Sequence, residues 1–340
     1  MNPLELRAIG RTNLRVPCLG MGGGTLGDMR VTISEAQSDA TVAAAWEAGI
    51  RFFDTAPFYG HTKSEHRLGR VLRTYPRDEY VLTTKVGRVY FRPGSPEEYR
   101  PGGWSGGLPF NYRFDYTRAG LLRSYEDSIQ RLGVPRVDAL LIHDLDPGAH
   151  GSEEAVNAGL DQLETGGFAA LRELRARGEI GAVGVGINRM GMVPRFLERF
   201  DPDFFLIAMP YTLLNQDALD LELPLCEEGA VGVVIGAPFA TGLLAAEPDR
   251  PTTYGYRPAA PEMVEKTRRI AAVCARHAVP LGAAALQFPL AHPSVAAVIP
   301  GPHSPEEARK SVDWMRAEIP PAFWSDLRAE GLVRADAPLP

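Results

Sequence analysis

The sequence predicts a (β/α)8 barrel, a closed ring of eight parallel strands, each followed by a helix. Three observations lead there. Short runs rich in Val, Ile and Phe alternate with helical patterns about eight times along the chain. Those runs are almost continuously apolar, as strands buried on both faces of a parallel sheet must be. They also end, again and again, in polar residues. A chain of 340 residues can hold one large barrel, and no linker interrupts the alternation, so a single domain over 1–340 is expected. The alternative is a doubly wound open sheet. Its signature is missing, because "GMGGGTLG" has glycines without the GxGxxG spacing or a helix start.

The elements follow in order. "LRAIG" and "LRVPCLG", joined by "RTN", predict an N-terminal β-hairpin leading into a first barrel strand near Val16 to Leu19. "SEAQSDATVAAAWEAG" predicts a helix with Ser34 as N-cap and Gly49 as its stop. "IRFFDTA" is the second strand, and a helix runs from about Ser64 to Leu72. "YVLTTKVG" is the third strand. The next stretch, "RVYFRPGSPEEYRPGGWSGGLPFNYRFD", is dense in Gly and Pro and too long for an ordinary connection, which predicts a functional loop. Alternation then resumes. Helices are expected at "YTRAGLLRSYEDSIQRLG", "FAALRELRARGE", "MVPRFLERF", "DALDLELPLCEEG", "PEMVEKTRRIAAVCARHA" and "SPEEARKSVDWM". Strands are expected at "VDALLIHD", "AVGVGIN", "FFLIAMPY", "AVGVVIGAPF" and "VAAVIPG".

Composition narrows the function. The net charge of -6, from 36 basic and 42 acidic residues spread along the chain, argues against a nucleic-acid binder. Cys18, Cys226 and Cys274 are far apart with no CxxC pair, so a reduced cytoplasmic setting is expected rather than a disulfide framework. The N-terminus lacks a long apolar segment and no apolar run is long enough to span a bilayer, so neither a signal peptide nor a membrane partner is expected. The seven histidines show no metal-ligand spacing, so no metal site is expected.

A barrel presents its chemistry at the strand ends. Asp54 ends the second strand with Tyr59 just beyond, Lys85 ends the third, and His143 ends the fourth, followed by Asp144. Asn188 and Tyr211 end the fifth and sixth. A phenol titrates near pKa ~10, too high for easy proton exchange at neutral pH. A lysine ammonium beside it favours the tyrosinate, and an aspartate holds that lysine charged and in place. A histidine on the next strand can bond a substrate oxygen. Asp54, Lys85, Tyr59 and His143 thus read as a tuned proton donor and acceptor for a carbonyl–alcohol pair. Singly, Asp54 reads as a turn cap, Tyr59 as a loop aromatic and His143 as a core histidine. A buried Lys85 already demands a partner.

"FFDTAPFYG", "SEHRLGRVL", "TTKVG" and "LLIHD", in that order, resemble the aldo-keto reductase superfamily. The resemblance implies a (β/α)8 barrel, a nicotinamide cofactor, and a catalytic tetrad at Asp54, Tyr59, Lys85 and His143. It further implies that Asn188 binds the nicotinamide carboxamide and that Tyr211 stacks on the ring. Ala208 stands where many members carry a Gln, which removes one carboxamide bond. "GAPFATGLLA" resembles the pyrophosphate-wrapping segment, which points to backbone amides of Phe239, Thr241, Gly242 and Leu243 and to the Thr241 side chain. "IPGPHSPEEARKS" resembles the adenosine-binding segment, with Gly301, His303 and Glu307 as candidates. A carboxylate at Glu307 repels a 2′-phosphate and accepts from a ribose hydroxyl, which favours NAD over NADP, although Arg309 and Lys310 lie close by. Backbone near Gly23 and Thr25 serves either the cofactor or a neighbouring loop.

Within the superfamily the chain resembles the branch of L-fucose (D-threo-aldose) 1-dehydrogenases and pyridoxal 4-dehydrogenases, through "YEDSIQRLGVPRVDALLIHDLD", "YTLLNQ" and "IPGPHSPEE". The resemblance implies a small-molecule substrate, a sugar hemiacetal oxidised to a lactone or an aromatic aldehyde. Tyr90, Trp104, Phe110 and Tyr112 in the long loop are candidates to stack on either, and Trp104 and Phe110 could equally pin the loop. General carbonyl reduction and a cofactor-sensing regulatory subunit are the other outcomes the family allows. The sequence leaves monomer and homo-oligomer open.

Overall fold

Eight short strands pair in parallel, each with its neighbour in sequence: β1 (Met21–Gly22), β2 (Phe52–Asp54), β3 (Val81–Val86), β4 (Ala139–His143), β5 (Ala182–Ile187), β6 (Phe204–Ala208), β7 (Gly232–Gly236) and β8 (Val295–Ile299). This computed structural model describes residues 1–29, 31–245, 253–254 and 257–340. The ring is closed by a parallel bridge between Leu19 and Val298. The amide of Gly20 donates to Val298 O and that of Val298 to Cys18 O, each at 2.9 Å. The result is the expected (β/α)8 barrel. Its outer helices are α1 (Glu35–Glu47), α2 (Lys63–Leu72), α3 (Arg118–Leu132), α4 (Phe168–Ala176), α5 (Met192–Leu197), α6 (Glu222–Glu228), α7 (Pro261–Arg276) and α8 (Pro305–Arg316). The Ser34 side chain accepts from Gln37 N at the start of α1, and Gly49 turns the chain away at φ 100°.

Two expectations need correction. Residues Arg15–Pro17 belong to the N-terminal hairpin, paired antiparallel with Leu6–Ala8, and barrel pairing begins only at Leu19. Both strands of that hairpin are spent on each other, and Pro17 has no N–H to give a further ladder. The long stretch after β3 is also more ordered than a bare loop. Arg88–Phe91 and Asn111–Phe114 form an antiparallel pair with Tyr90 opposite Tyr112. Helices at Glu153–Gln162, Leu281–Gln287 and Pro321–Ala329 add to the expected elements.

The period of two along each strand sorts residues between two cores. Phe53, Leu82, Leu140, Ile142, Val183 and Val185 pack outward against the helices. Phe52, Ala139, Leu141, Ala182, Phe204, Leu206 and Val234 fill the barrel interior. Ile9, Leu14 and Val16 of the N-terminal hairpin join this inner core and plug the lower end of the barrel. Gly10 makes the plug possible. Its φ is +52°, and a Cβ there would lie 2.4 Å from Asp203 O. Above the plug, the same alternation turns Asp54, Lys85 and His143 inward at the upper end.

Candidate active site

Asp54 is the last residue of β2 and Lys85 the fifth of β3. Register sets Asp54 beside Thr83, so Lys85 stands one inward position higher. Lys85 Nζ donates to Asp54 Oδ2 at 2.6 Å and to Thr55 O at 2.8 Å, and Thr83 Oγ1 donates to Asp54 Oδ1 at 2.8 Å. Asp54 and Lys85 are each 1 % exposed. Burial pushes the Asp54 carboxyl above the ordinary carboxylate range, against the pull of Lys85 and Thr83. Lys85 Nζ lies 4.7 Å from the centroid of the Tyr59 ring. The His143 ring meets Tyr59 edge to face, 5.8 Å between centroids. Burial, reinforced by the charges of Arg88 and Lys85, holds the His143 imidazole well below its ordinary pKa. All four predicted tetrad residues therefore meet at the upper end of the barrel.

Sequence reasoning missed a second charged layer beside them. Arg88, buried at 3 % exposure, donates from Nη2 to Asp144 Oδ2 at 3.1 Å. Its guanidinium lies 4.3 Å from the Phe58 ring centroid, 4.9 Å from that of Phe114 and 5.3 Å from that of Tyr112. Asp144 Oδ2 also lies 3.3 Å from His143 Nε2, and Asp144 Oδ1 accepts from Asn188 Nδ2 at 2.7 Å. Burial pushes the Asp144 carboxyl up, against the pull of Arg88. Its φ is +47°, a left-handed backbone that Asp tolerates better than most residues. The only sequence hint was two adjacent polar residues at the end of one strand.

The long hairpin roofs this site. Trp104, 7 % exposed, packs against Phe58 (5.3 Å between centroids) and Tyr59 (5.9 Å). Tyr112 touches Phe58 and Tyr90, and Tyr90 meets His61 edge to face. Burial pushes the Tyr90 phenol far above its ordinary pKa. Trp104 thus borders the tetrad directly, whereas Tyr90 sits one ring further out. Phe110 serves the loop through its backbone, its carbonyl lying 2.6 Å from His61 Nδ1. His61 also faces Pro101 O at 3.2 Å, so this histidine straps the roof to the end of β2. A buried ion cluster holds the other side. Asp28 pairs with Lys63 at 2.6 Å and Arg67 at 2.7 Å, and Lys63 also donates to Gly106 O at 2.7 Å. Burial alone would raise the Asp28 carboxyl, but the bonds from Lys63 and Arg67 outweigh it and hold it low.

The residues expected at a cofactor divide. Asn188 stands exposed at the end of β5, facing Asp144. Inward positions at the tops of β5, β6 and β7 are Gly186, Ala208 and Gly236, none with a side chain larger than methyl. That side of the mouth is walled thinly, as a flat ring lying against it would need. After β7 the chain turns through left-handed Ala240, Thr241 and Gly242 (φ 48°, 58° and 104°). Within this turn the Gly242 amide already donates to Phe239 O, that of Leu243 to Ala240 O, and Thr241 Oγ1 donates to Thr253 O. Leu243 is buried, and the Phe239 ring packs on Trp314.

Three expectations change. Tyr211 does not face the mouth: it is fully buried, packed against Phe288 and His292 in the outer core, so its ring has no face to offer a ligand. Gly23 approaches its own neighbours, since a Cβ there would lie 2.7 Å from Ser64 Oγ and 2.9 Å from Asp54 O. Thr25 donates to Pro302 O at 2.7 Å and so ties β1 to the segment after β8, beside Gly301. In that segment Glu307 accepts from His303 N at 2.7 Å, and the Ser304 side chain accepts from Glu307 N at the start of α8. Hydrogen bonding from His303 lowers the Glu307 pKa.

Among the described residues, no group of three His, Cys, Asp or Glu side chains is arranged to hold a metal, and no single helix is long and apolar enough to cross a membrane. Residues 18–330 match the family model described as the aldo/keto reductase family. Curated relatives include pyridoxal 4-dehydrogenase of Microbacterium luteolum, 40 % identical over 97 % of this chain and 98 % of the relative. D-threo-aldose 1-dehydrogenase of a Pseudomonas species is 38 % identical over 96 % and 97 %. L-galactose dehydrogenase of Arabidopsis thaliana is 31 % identical over 92 % and 88 %. Among solved structures, an aldo-keto reductase of Bacillus halodurans superposes with a TM-score of 0.75 at 23 % identity, covering 98 % of both chains.

Proposed function

The chain belongs to the aldo/keto reductase family and is an oxidoreductase, and from that premise we propose that it is an NAD-dependent dehydrogenase of cyclic aldoses, giving aldonolactones. One observation carries the reading. A buried lysine, neutralised by Asp54 at 2.6 Å, lies 4.7 Å from the centroid of a tyrosine ring that also meets His143. No packing role needs a charge there, and burying one without a chemical return is costly.

The thin wall at Gly186, Ala208 and Gly236 and the exposed Asn188 fit a nicotinamide dinucleotide. When bound, that group takes up or gives back a hydride. The chain's own residues manage the proton. The Lys85 ammonium stabilises the Tyr59 phenolate, which accepts the proton of the anomeric hydroxyl. Asp54 and the carbonyl of Thr55 fix Lys85 in place. His143, neutral through its burial, orients the hydroxyl oxygen without adding a second charge. In the opposite direction Tyr59 returns the proton to a carbonyl oxygen. Glu307 beside His303 supports NAD over NADP. Arg309, 3.6 Å from Glu47, and Lys310, over the Trp314 ring at 4.7 Å, are both engaged elsewhere.

A second reading is pyridoxal oxidation at the same site, favoured by the 40 % identical relative and by the rings of Phe58 and Trp104 beside Tyr59. Formation of reduced nicotinamide, followed by absorbance with NAD and NADP against L-fucose, D-arabinose and pyridoxal, separates the two. Sugar turnover with NAD is expected, and turnover of pyridoxal alone would move the substrate. Tyr59→Phe should lower turnover by about 10²-fold or more while cofactor binding persists. Undiminished turnover in that variant would overturn the mechanism.

A further inference from the structure

Asp144 holds two different donors with its two oxygens. Oδ2 accepts from Arg88 Nη2 at 3.1 Å, and Oδ1 accepts from Asn188 Nδ2 at 2.7 Å. Neither end is free to move. Arg88 is buried among the rings of Phe58, Tyr112 and Phe114, and the Asp144 amide donates to Gly186 O at 3.1 Å. A carboxylate oxygen only accepts, so the side-chain amide of Asn188 must turn its NH2 toward Asp144. Its carbonyl oxygen is then the end left for a ligand.

We propose that Asp144 is a positioning residue: anchored by Arg88, it fixes the side-chain amide of Asn188 so that the carbonyl oxygen faces the ligand and selects a group that donates an N–H. This rests on the reading above, in which Asn188 meets the carboxamide of a nicotinamide. The partner it selects is the carboxamide NH2 rather than the carboxamide oxygen.

The test uses the full chain and three probes: NADH, its 3-acetylpyridine analogue, which keeps a carbonyl but has no NH2, and ADP-ribose, which lacks the ring. Binding is followed by fluorescence or calorimetry. The wild-type protein should bind NADH about tenfold more tightly than the acetylpyridine analogue, because the Asn188 carbonyl is left unpaired by the latter. In Asp144→Ala the amide can rotate, and the ratio should shrink to about twofold. Asp144→Asn makes a sharper demand. Arg88 has only donors, so the carboxamide introduced by that substitution must turn its oxygen to Arg88 and its NH2 to Asn188. Asn188 then offers NH2 outward, which the carbonyl of either ring can meet, and the preference for NADH should vanish. Both variants should bind ADP-ribose as the wild type does. An unchanged ratio in both variants overturns the proposal, as does a parallel loss of NADH and ADP-ribose affinity, which would mark a general structural role. A wild-type protein that binds ADP-ribose but does not prefer NADH overturns it as well. Failure of the wild type to bind any of the three removes the nicotinamide reading itself.

Discussion

At the scale of single residues, the site is a contest between burial and charge. Lys85 and Asp54 are each 1 % exposed and satisfy one another. Lys85→Met leaves a buried carboxylate without its partner, and we expect it to cost about 3–5 kcal/mol in denaturant unfolding as well as turnover. Five histidines behave alike: burial lowers the pKa of His61, His66, His143, His150 and His292, His150 to about 4. The unfolded chain therefore takes up protons below pH ~6.5 that the folded chain refuses. Stability present above that pH is lost as pH falls toward the folded values, with a slope of up to ~1.4 kcal/mol per pH unit for each such group. The raised carboxyls of Asp54, Asp144 and Glu222 act in the opposite sense, but the five rings outnumber them. Melting temperatures should therefore fall from pH 7 down to 4.5, and a rising profile would contradict the burial of these rings. Asp54, Lys85 and His143 were legible because strand periodicity alone turns them inward. Arg88 and His61 were not, since their roles depend on which loop lies across them. Tyr211 misled because an aromatic beyond a strand can face a ligand or fill a core, and only Phe288 and His292 decide which.

At the scale of elements, the roof over the mouth is held by two clasps of different chemistry. His61 holds it through backbone carbonyls of Pro101 and Phe110, and Asp28 through Lys63 and Gly106. Asp28→Ala would leave Arg67, 1 % exposed, with the half-exposed Glu35 at 2.7 Å as its remaining carboxylate, so a loss of about 1–3 kcal/mol is expected by chemical denaturation. Substrate KM should rise at the same time, because Lys63 loses the anchor that brings Gly106 in. His61→Ala should raise KM with a smaller loss of stability, since no charge pair is broken. The length of this segment was readable from its Gly and Pro content. Its hairpin was not, because the pairing of Tyr90 with Tyr112 spans a stretch whose turn residues give no single short turn type.

At the scale of the whole molecule, eight βα units were readable from alternation, and the exact start of the ring was not, since Arg15–Pro17 is apolar enough to serve either the hairpin or the barrel. Gly10→Ala tests the plug. The substituted residue must hold φ +52° with its Cβ against Asp203 O, so a clear drop in melting temperature is expected with the catalytic residues untouched. Cofactor preference is also a global property. Saturation at about 100 times Kd stabilises a fold by ~2.7 kcal/mol. NADH should therefore raise the melting temperature more than the same concentration of NADPH, and the reverse order would overturn the argument from Glu307.

The hairpin plug has one further consequence, for the order of events in time. With Ile9, Leu14 and Val16 sealing the lower end and side chains filling the interior, ligands reach the tetrad from the upper end, and two that lie one over the other there cannot pass each other. The one that lies deeper must arrive first and depart last. Initial-rate data should therefore obey a compulsory-order scheme. Only one product would compete with the leading reactant, and trapping the deeper ligand would stall the cycle with the trailing product already released.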